Sequence, residues 1–562
     1  MAQLVLPRPA STPVAGPLDG KFWDIVEADF RRLVANHPIY ATYLGIHDAD
    51  DRLDDATRDA IVQELADSHA TLCELVALDP AGLSESVRLE RELAIHNTRR
   101  GLFDAEVHRV WERRSNAMDQ VGDALFSIFA RDFAPLGERL TSLTSRLEAI
   151  PALLDQHWTR ATAPQVRLWQ ELEIDSGDQI PFLFEEVKAA GHGVLGERDQ
   201  NRLDKAAATA SAAVVAYVDR VKAGMGSTVE SWALGSDAYD ELVGLRAFDG
   251  LDASQILEIG WQQLALNKAA RVGDARGIDP SVDEPTVVDR VKSNHPATFE
   301  EALAGYSDAM NRARAHIVEH DIATLPPGEQ ISVRPTPEYL RTVIPFAAYF
   351  EPPKFDKHPS GIYIVTPSVG NDPNAMREHN WASISNTSVH EAYPGHHLQL
   401  SAAVAHPSLV RLMTDAPEFV EGWGMYSEQM MREQGFDAGP EFLLAMHTDA
   451  IWRACRIILD VRMHRGELSV DEATAFLVEH TGFEHANAQA EVFRYTYTPT
   501  YQLSYLLGKV LLLQLRADEQ KRLGASFSLK GFHDTLLRNG SLPISFHRRL
   551  LDSEASRVAA NG

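Results

Sequence analysis

The sequence predicts a mainly α protein with one small antiparallel β-sheet set just before the helix that carries the chemistry. Three observations lead there. Apolar residues recur at helical spacing over most of the 562 residues. β-Branched and aromatic residues crowd into short, proline-fenced runs only between positions 328 and 367. Helical periodicity then returns near Trp381 and lasts to the end of the chain.

In chain order, residues 1–18 are rich in Pro, Ala and Gly and read as a loose or laid-down arm. Residues 19–327 read as a helical lobe. Within it Phe22, Ile25, Val26, Phe30 and Leu33 fall on one helix face, as do Leu140, Leu143, Leu147 and Ile150. Pro151, Pro164, Pro181 and Pro280 are expected to mark breaks between helices. Residues 330–334, 346–350 and 361–365 are the strand candidates. With the helices that follow they form a second, catalytic lobe, residues 328–562.

Charge and composition exclude several kinds of partner. Acidic side chains outnumber basic ones by 80 to 53, a net charge of −27 that repels nucleic acid and anionic lipid alike. No stretch reaches the roughly 18 apolar residues needed to span a membrane. The first residues, Met1 to Pro7, lack the basic start and apolar segment of a secretory signal. Cys73 and Cys455 match neither a metal spacing nor a disulfide framework and read as buried thiols in a reducing compartment, so a cytoplasmic protein is expected.

Most of the functional information lies in residues 390–400, His-Glu-Ala-Tyr-Pro-Gly-His-His-Leu-Gln-Leu. A His-Glu pair followed closely by another His is the pattern H-E-x-x-H of zinc peptidases, here pulled apart by Pro394-Gly395. In an unbroken helix His397 would return to the face of His390 but about 10 Å further along the axis. Two nitrogens that must each lie about 2 Å from one zinc cannot be so far apart. Pro394-Gly395 must therefore break or bulge the helix and bring His396 or His397 back towards His390. A third, carboxylate ligand is expected on a later helix. Glu421 fits, with Gly422 and Gly424 allowing close approach and Glu428, seven residues on, placed to orient a ligand histidine. Glu391 is the candidate general base for a metal-activated water.

The block His390-Glu391-x-x-Pro394-Gly395-His396-His397-x-Gln399, followed by Glu421-Gly422-Trp423-x-x-Tyr426-x-Glu428, resembles a bacterial family catalogued as domain of unknown function 885. The resemblance begins near Pro38, Ala41, Thr42 and Gly45. Residues 421–426 are also similar to the Asn-Glu-Gly-Phe-Ala-Ser-Tyr block of zinc aminopeptidases, whose glutamate is a metal ligand, which favours Glu421 over Glu428. Leu398-Gln399 resembles the pair that follows the second ligand in related helical peptidases, which favours His397, with His396 as the alternative. The resemblance implies a gluzincin-like helical fold akin to angiotensin-converting enzyme and thermostable carboxypeptidases, with Zn2+ bound by His390, His397 and Glu421.

Downstream, Arg456, Asp460 and His464 recur every four residues on an otherwise apolar helix, where charged groups need partners. His464 is a candidate donor to the transition state, with Asp460 fixing its tautomer, and Arg456 a candidate substrate contact. Residues 494–505 hold Arg494, which could grip a substrate carboxylate, and Tyr497, Tyr501 and Tyr505, any of which could donate to a developing oxyanion. Members of the resembled family carry Pro-Gly-Gln where this chain has Pro499-Thr500-Tyr501. Tyr363, on an expected edge strand, could help pair with substrate backbone. The function expected is a zinc-dependent peptidase for short peptides, with Arg494 hinting at a carboxypeptidase. The rivals are a zinc amidase or esterase for a non-peptide substrate, and an inactive helical binding protein.

Overall fold

A computed structural model describes residues 4–9, 15–337, 341, 344, 346–356, 359–367 and 376–561, with side chains to residue 553. The fold is mostly helical with one three-stranded sheet. Of the N-terminal arm, Leu6 is buried and Arg8 donates to the Gly20 carbonyl, so the described part lies against the protein. Residues 1–3 and 10–14 fall outside the described set. No helix among the described residues is long and apolar enough to cross a membrane.

The chain divides into two compact units, Met1–Trp232 with Pro353–His358, and Ala233–Pro352 with Pro359–Gly562. The boundary expected at 327/328 is therefore displaced. The change in texture there marks the sheet, whereas helices from residue 233 onward already pack with those that follow it. Cys455 is buried, but Cys73 is exposed, contrary to its apolar neighbours in sequence.

The first unit is helical. Its helices include α1 (Asp19–Asn36), α2 (Leu136–Arg160), α3 (Arg167–Gly191) and α4 (Glu197–Gly224). Phe22, Ile25 and Phe30 of α1 are buried, and Leu140, Leu143, Leu147 and Ile150 of α2 are completely so. Pro151 and Pro181 do not break helices. Each lies inside one, α2 and α3 respectively, where a proline removes one backbone bond from a long helix held by its packed face.

The second unit is built around α5 (Ala253–Ile278), α6 (Phe299–Glu319), α7 (Trp381–Glu391), α8 (His396–Val404), α9 (Pro417–Glu433), α10 (Pro440–His464), α11 (His485–Tyr495) and α12 (Ser504–Leu523). Local chemistry starts these helices where they start. An Asp252–Gln255 capping box opens α5, Asn380 caps α7 by accepting from Ser383 N–H, and Pro417 and Pro440 occupy first turns. α5 lies close along α10, where a β-carbon on Gly260 would meet Ile457 at 2.9 Å.

The sheet is β1 (Ile331–Pro335), β2 (Ala347–Phe350) and β3 (Gly361–Val365), in the order β1-β3-β2. It is mixed rather than antiparallel: β2 runs antiparallel to β3, but β1 pairs with it in parallel. β3 has a strand at each edge and helical side chains packed on it, and every residue of it is buried. Tyr363 and Val365 join Tyr306 of α6 and Ile384 of α7 in one apolar cluster, which seats the sheet beside the start of the functional motif.

Several imidazoles are locked neutral inside this unit. His533 Nδ1–H donates to the Ile322 carbonyl (2.8 Å) while its Nε2 accepts from the Tyr426 hydroxyl (2.8 Å). Burial lowers its proton affinity, and that of His464, to about 4 from the usual 6.5. Between those values the unfolded chain binds more protons than the folded one, so stability falls as pH drops from 6.5 towards 4, by on the order of 3 kcal/mol per group. Urea midpoints measured across this window with chelator present should fall. His533→Gln should flatten the slope, and an unchanged slope would count against the assignment.

Candidate metal centre

The helix carrying His390 stops at Glu391 and α8 restarts at His396, so the sequence between them turns back on itself. Gly395 N–H donates to the Val389 carbonyl (3.0 Å), and the indole N–H of Trp423 holds the Pro394 carbonyl at 2.7 Å. A β-carbon at residue 395 would overlap the His390 carbonyl, so only glycine fits. Gly395→Ala is expected to destabilise the fold by about 3 kcal/mol or more, because the obstruction is backbone and cannot rotate away. Chemical denaturation checks this; a loss below about 1 kcal/mol would show that the break tolerates a side chain.

The turn brings His390, His396 and Glu421 together, with donor atoms all within 4.8 Å of one another. His396 Nε2 lies 3.4 Å and His390 Nε2 3.8 Å from Glu421 Oε2, and the two rings stand edge to face. Ligands about 2.0–2.1 Å from a tetrahedral zinc lie about 3.3–3.4 Å apart, so the three need only small shifts to share one ion. Close helix packing makes this possible. A β-carbon on Gly424 would sit 2.7 Å from the His390 ring, and one on Gly422 would sit 2.6 Å from the backbone of Gly508 on α12.

His397 is not part of this group. As the second residue of α8 it points about 100° away from His396, is fully buried, and bonds Glu329 (Nε2–Oε2 3.0 Å) and the Tyr349 hydroxyl (Nδ1 2.8 Å). Burial would raise the Glu329 carboxyl, but His397, Tyr393 and Arg314 hold it down at about 2. The expectation of His397 is corrected to His396, whose Nδ1 is buried with no hydrogen-bond partner among the described residues. Glu329 lies 68 residues before His397 and no local pattern in the sequence links them.

Glu428 lies where an orienting carboxylate is needed, accepting from His390 Nδ1–H at 2.7 Å and so turning Nε2 towards Glu421. It also accepts from Asn386 Nδ2 (3.0 Å), which donates to Asp449 as well. Burial works to lower the proton affinity of His390, but Glu421 and Glu428 outweigh it and raise it to about 10. Glu421 is driven well below the usual carboxylate range by the two imidazoles, against the opposing effect of burial. Two buried carboxylates among imidazoles create a demand for positive charge that protons or a divalent cation can meet, and the donor set N, N, O suits zinc. Glu391 is half-buried and, among the described residues, its carboxylate makes no hydrogen bond or ion pair.

The downstream candidates divide. The Tyr501 hydroxyl donates to Glu421 Oε1 at 2.7 Å, and Tyr505 packs edge to face on Tyr501 with centroids 5.8 Å apart. Tyr497 is half-buried in the turn after α11, its N–H bonded to the Arg494 carbonyl. Arg456 is buried, bonds Glu491 (2.8 Å) and the Tyr495 hydroxyl (3.2 Å), and lies 4.7 Å over the Tyr505 ring. Arg494 shares Glu491 at 3.0 Å and keeps 35% of its side chain exposed. His464 gives its Nε2 proton to the Tyr495 carbonyl (2.9 Å) and stacks on Tyr239, so its expected role as a transition-state donor is withdrawn. Asp460 does not fix its tautomer, because that carboxylate accepts from the Tyr239 hydroxyl and Thr500 N–H. Tyr363 sits on the central strand, fully buried against Tyr306, and cannot serve as an edge contact for substrate.

The residue before Tyr501 is unusual. Thr500 has φ +65°, a left-handed conformation that is costly for a β-branched residue and open to glycine. Asp460 grips its N–H with both oxygens, and Arg246 Nη1 donates to its hydroxyl at 3.1 Å.

A three-helix centre of two histidines and a glutamate, with a second glutamate beside the first histidine, is thus on a mainly helical scaffold. Residues 38–551 match the family described as "bacterial protein of unknown function (DUF885)", and the chain belongs to that family. No curated protein matches it significantly. Two solved structures share the fold, each described as a "putative lipoprotein". One, of unknown function, is from Shewanella oneidensis, at 22% identity and TM-score 0.78, covering 94% of this chain and 99% of that one. The other is from Colwellia psychrerythraea, at 17% identity and TM-score 0.83, covering 96% and 99% respectively.

Proposed function

We propose that this protein is a zinc-dependent hydrolase of peptide bonds in short peptides. The observation that carries the reading is the convergence of His390, His396 and Glu421 across a helix break, with Glu391 directly after the first of them. His390, His396 and Glu421 would hold the metal, and Glu428 keeps His390 in the tautomer that offers Nε2. A zinc ion there would supply a Lewis acid that acidifies water and polarises a carbonyl. Glu391 takes the proton of the attacking water and returns it to the leaving amine. Tyr501, bonded to the far oxygen of Glu421, keeps that carboxylate aimed, and its one hydroxyl proton must turn away from Glu421 to be given to a developing oxyanion. Of the carboxypeptidase preference, Arg494 is the one support, and Glu491 already takes up part of its charge.

The test is a digest of a peptide library by the purified full chain, read by mass spectrometry, with metal content measured in parallel. Cleavage with about one zinc per chain, abolished by chelator and restored by zinc, is the expected result. Zinc-loaded protein that cleaves no free or blocked peptide would sink the peptidase reading, and cleavage of simple amides or esters alone would favour the amidase. For location, the absence of paired cysteines supports a reducing compartment, while the lipoprotein description of the two similar structures supports an extracytoplasmic one. Fractionation of cells producing the full gene product separates the two.

A further inference from the structure

We propose that the second unit holds another binding site, for a small ligand bearing a single carboxylate, in a cleft bounded by α5, α9, α10 and α12. The cleft has a volume of about 500 Å3 and shares no residue with the metal centre. Such a volume suits a ligand of amino-acid to dipeptide size.

Lys509 carries the argument. It follows Gly508, whose backbone is pressed against α9, so its own main chain is fixed. The side chain lines the cleft and the residue is only 5% exposed. Among the described residues no hydrogen bond or ion pair reaches its Nζ. Its three donors are therefore left to whatever fills the cleft, and an ammonium so little exposed gains from an anion that meets it there.

The neighbouring acids are already engaged. Glu428 is bonded to His390 and Asn386, and Glu433 to Arg516 (2.9 Å) and the Gln429 amide. Asp274 is paired at 2.6 Å with His447, which lines the cleft. Burial lowers the proton affinity of Lys509, and Glu428 and Glu433 offset this only in part. One under-compensated positive charge therefore faces the cavity. A single carboxylate matches it, whereas a phosphate dianion would bring excess negative charge among these acids. The amides of Gln263 and Asn267 and the exposed side chain of Leu266 complete the wall and give the rest of such a ligand polar and apolar contacts.

Calorimetric titration of the full chain at fixed ionic strength tests the site, with N-acetylglycine as a carboxylate without an ammonium and glycinamide as an ammonium without a carboxylate. N-Acetylglycine should bind saturably at one site and glycinamide should not. Lys509→Met should weaken N-acetylglycine at least tenfold. Leu266→Trp, which fills the exposed mouth and leaves the charge in place, should do the same, and Glu421→Gln should leave binding unchanged. The proposal is overturned by no saturable binding, by binding of glycinamide instead, or by binding that survives Lys509→Met and disappears in Glu421→Gln.

Discussion

Glu391→Gln should lower kcat by about 10²- to 10⁴-fold on any peptide the wild type cleaves, while zinc content stays at the wild-type level. The two halves of that result depend on different atoms. Glutamine keeps the size and hydrogen-bonding shape of the side chain but cannot accept a proton from water. Because the Glu391 carboxylate makes no hydrogen bond or ion pair among the described residues, its removal as a base breaks no such contact. The effect should therefore fall on kcat more than on KM. If steady-state kinetics with metal analysis on the same samples show full activity in Glu391→Gln, the general-base assignment fails even where the metal is present.

The second large effect separates two adjacent histidines. His396→Ala should remove one of three ligands and weaken zinc binding by more than the tenfold to hundredfold typical of losing an orienting partner. His397→Ala should leave zinc in place. It should instead destabilise the fold by about 2–4 kcal/mol, because a fully buried ring is removed and Glu329 keeps only Tyr393 and Arg314 of its three partners. Metal analysis after dialysis and urea unfolding of both variants give the comparison. Zinc lost in His397→Ala and kept in His396→Ala would reverse the assignment of the centre.

That pair also shows where the sequence was legible and where it stopped. The helical class and the three short strands could be read because apolar period and proline fencing are local signals, as at Phe22, Ile25 and Phe30 or at residues 361–365. The need for a break at Pro394-Gly395 followed from distance alone. Which histidine the break would deliver did not, since consecutive helical residues differ only in azimuth and the angle depends on where α8 restarts. Glu428 beside His390 was readable because seven residues return to one helix face. The links of Tyr501 to Glu421 and of Glu329 to His397 span 80 and 68 residues and left no local trace. Strand order was hidden in the same way, so Tyr363 was assigned to an edge when it lies in the middle. The spacing of Arg456, Asp460 and His464 marked groups in need of partners but not which ones: Arg456 and His464 both reach Tyr495 of α11, whereas Asp460 turns to Tyr239 and Thr500.

The left-handed Thr500 has a bearing on how firmly the centre is assembled. A threonine held there costs about 1–3 kcal/mol relative to a relaxed backbone, and it persists because Asp460 and Arg246 clamp it from two sides. The clamp places Tyr501 over Glu421 at the expense of local comfort, much as a bent spring keeps a latch closed. Loosening either jaw would let the peptide relax towards an extended form and swing the phenol off the carboxylate, opening the centre without touching any of its ligands.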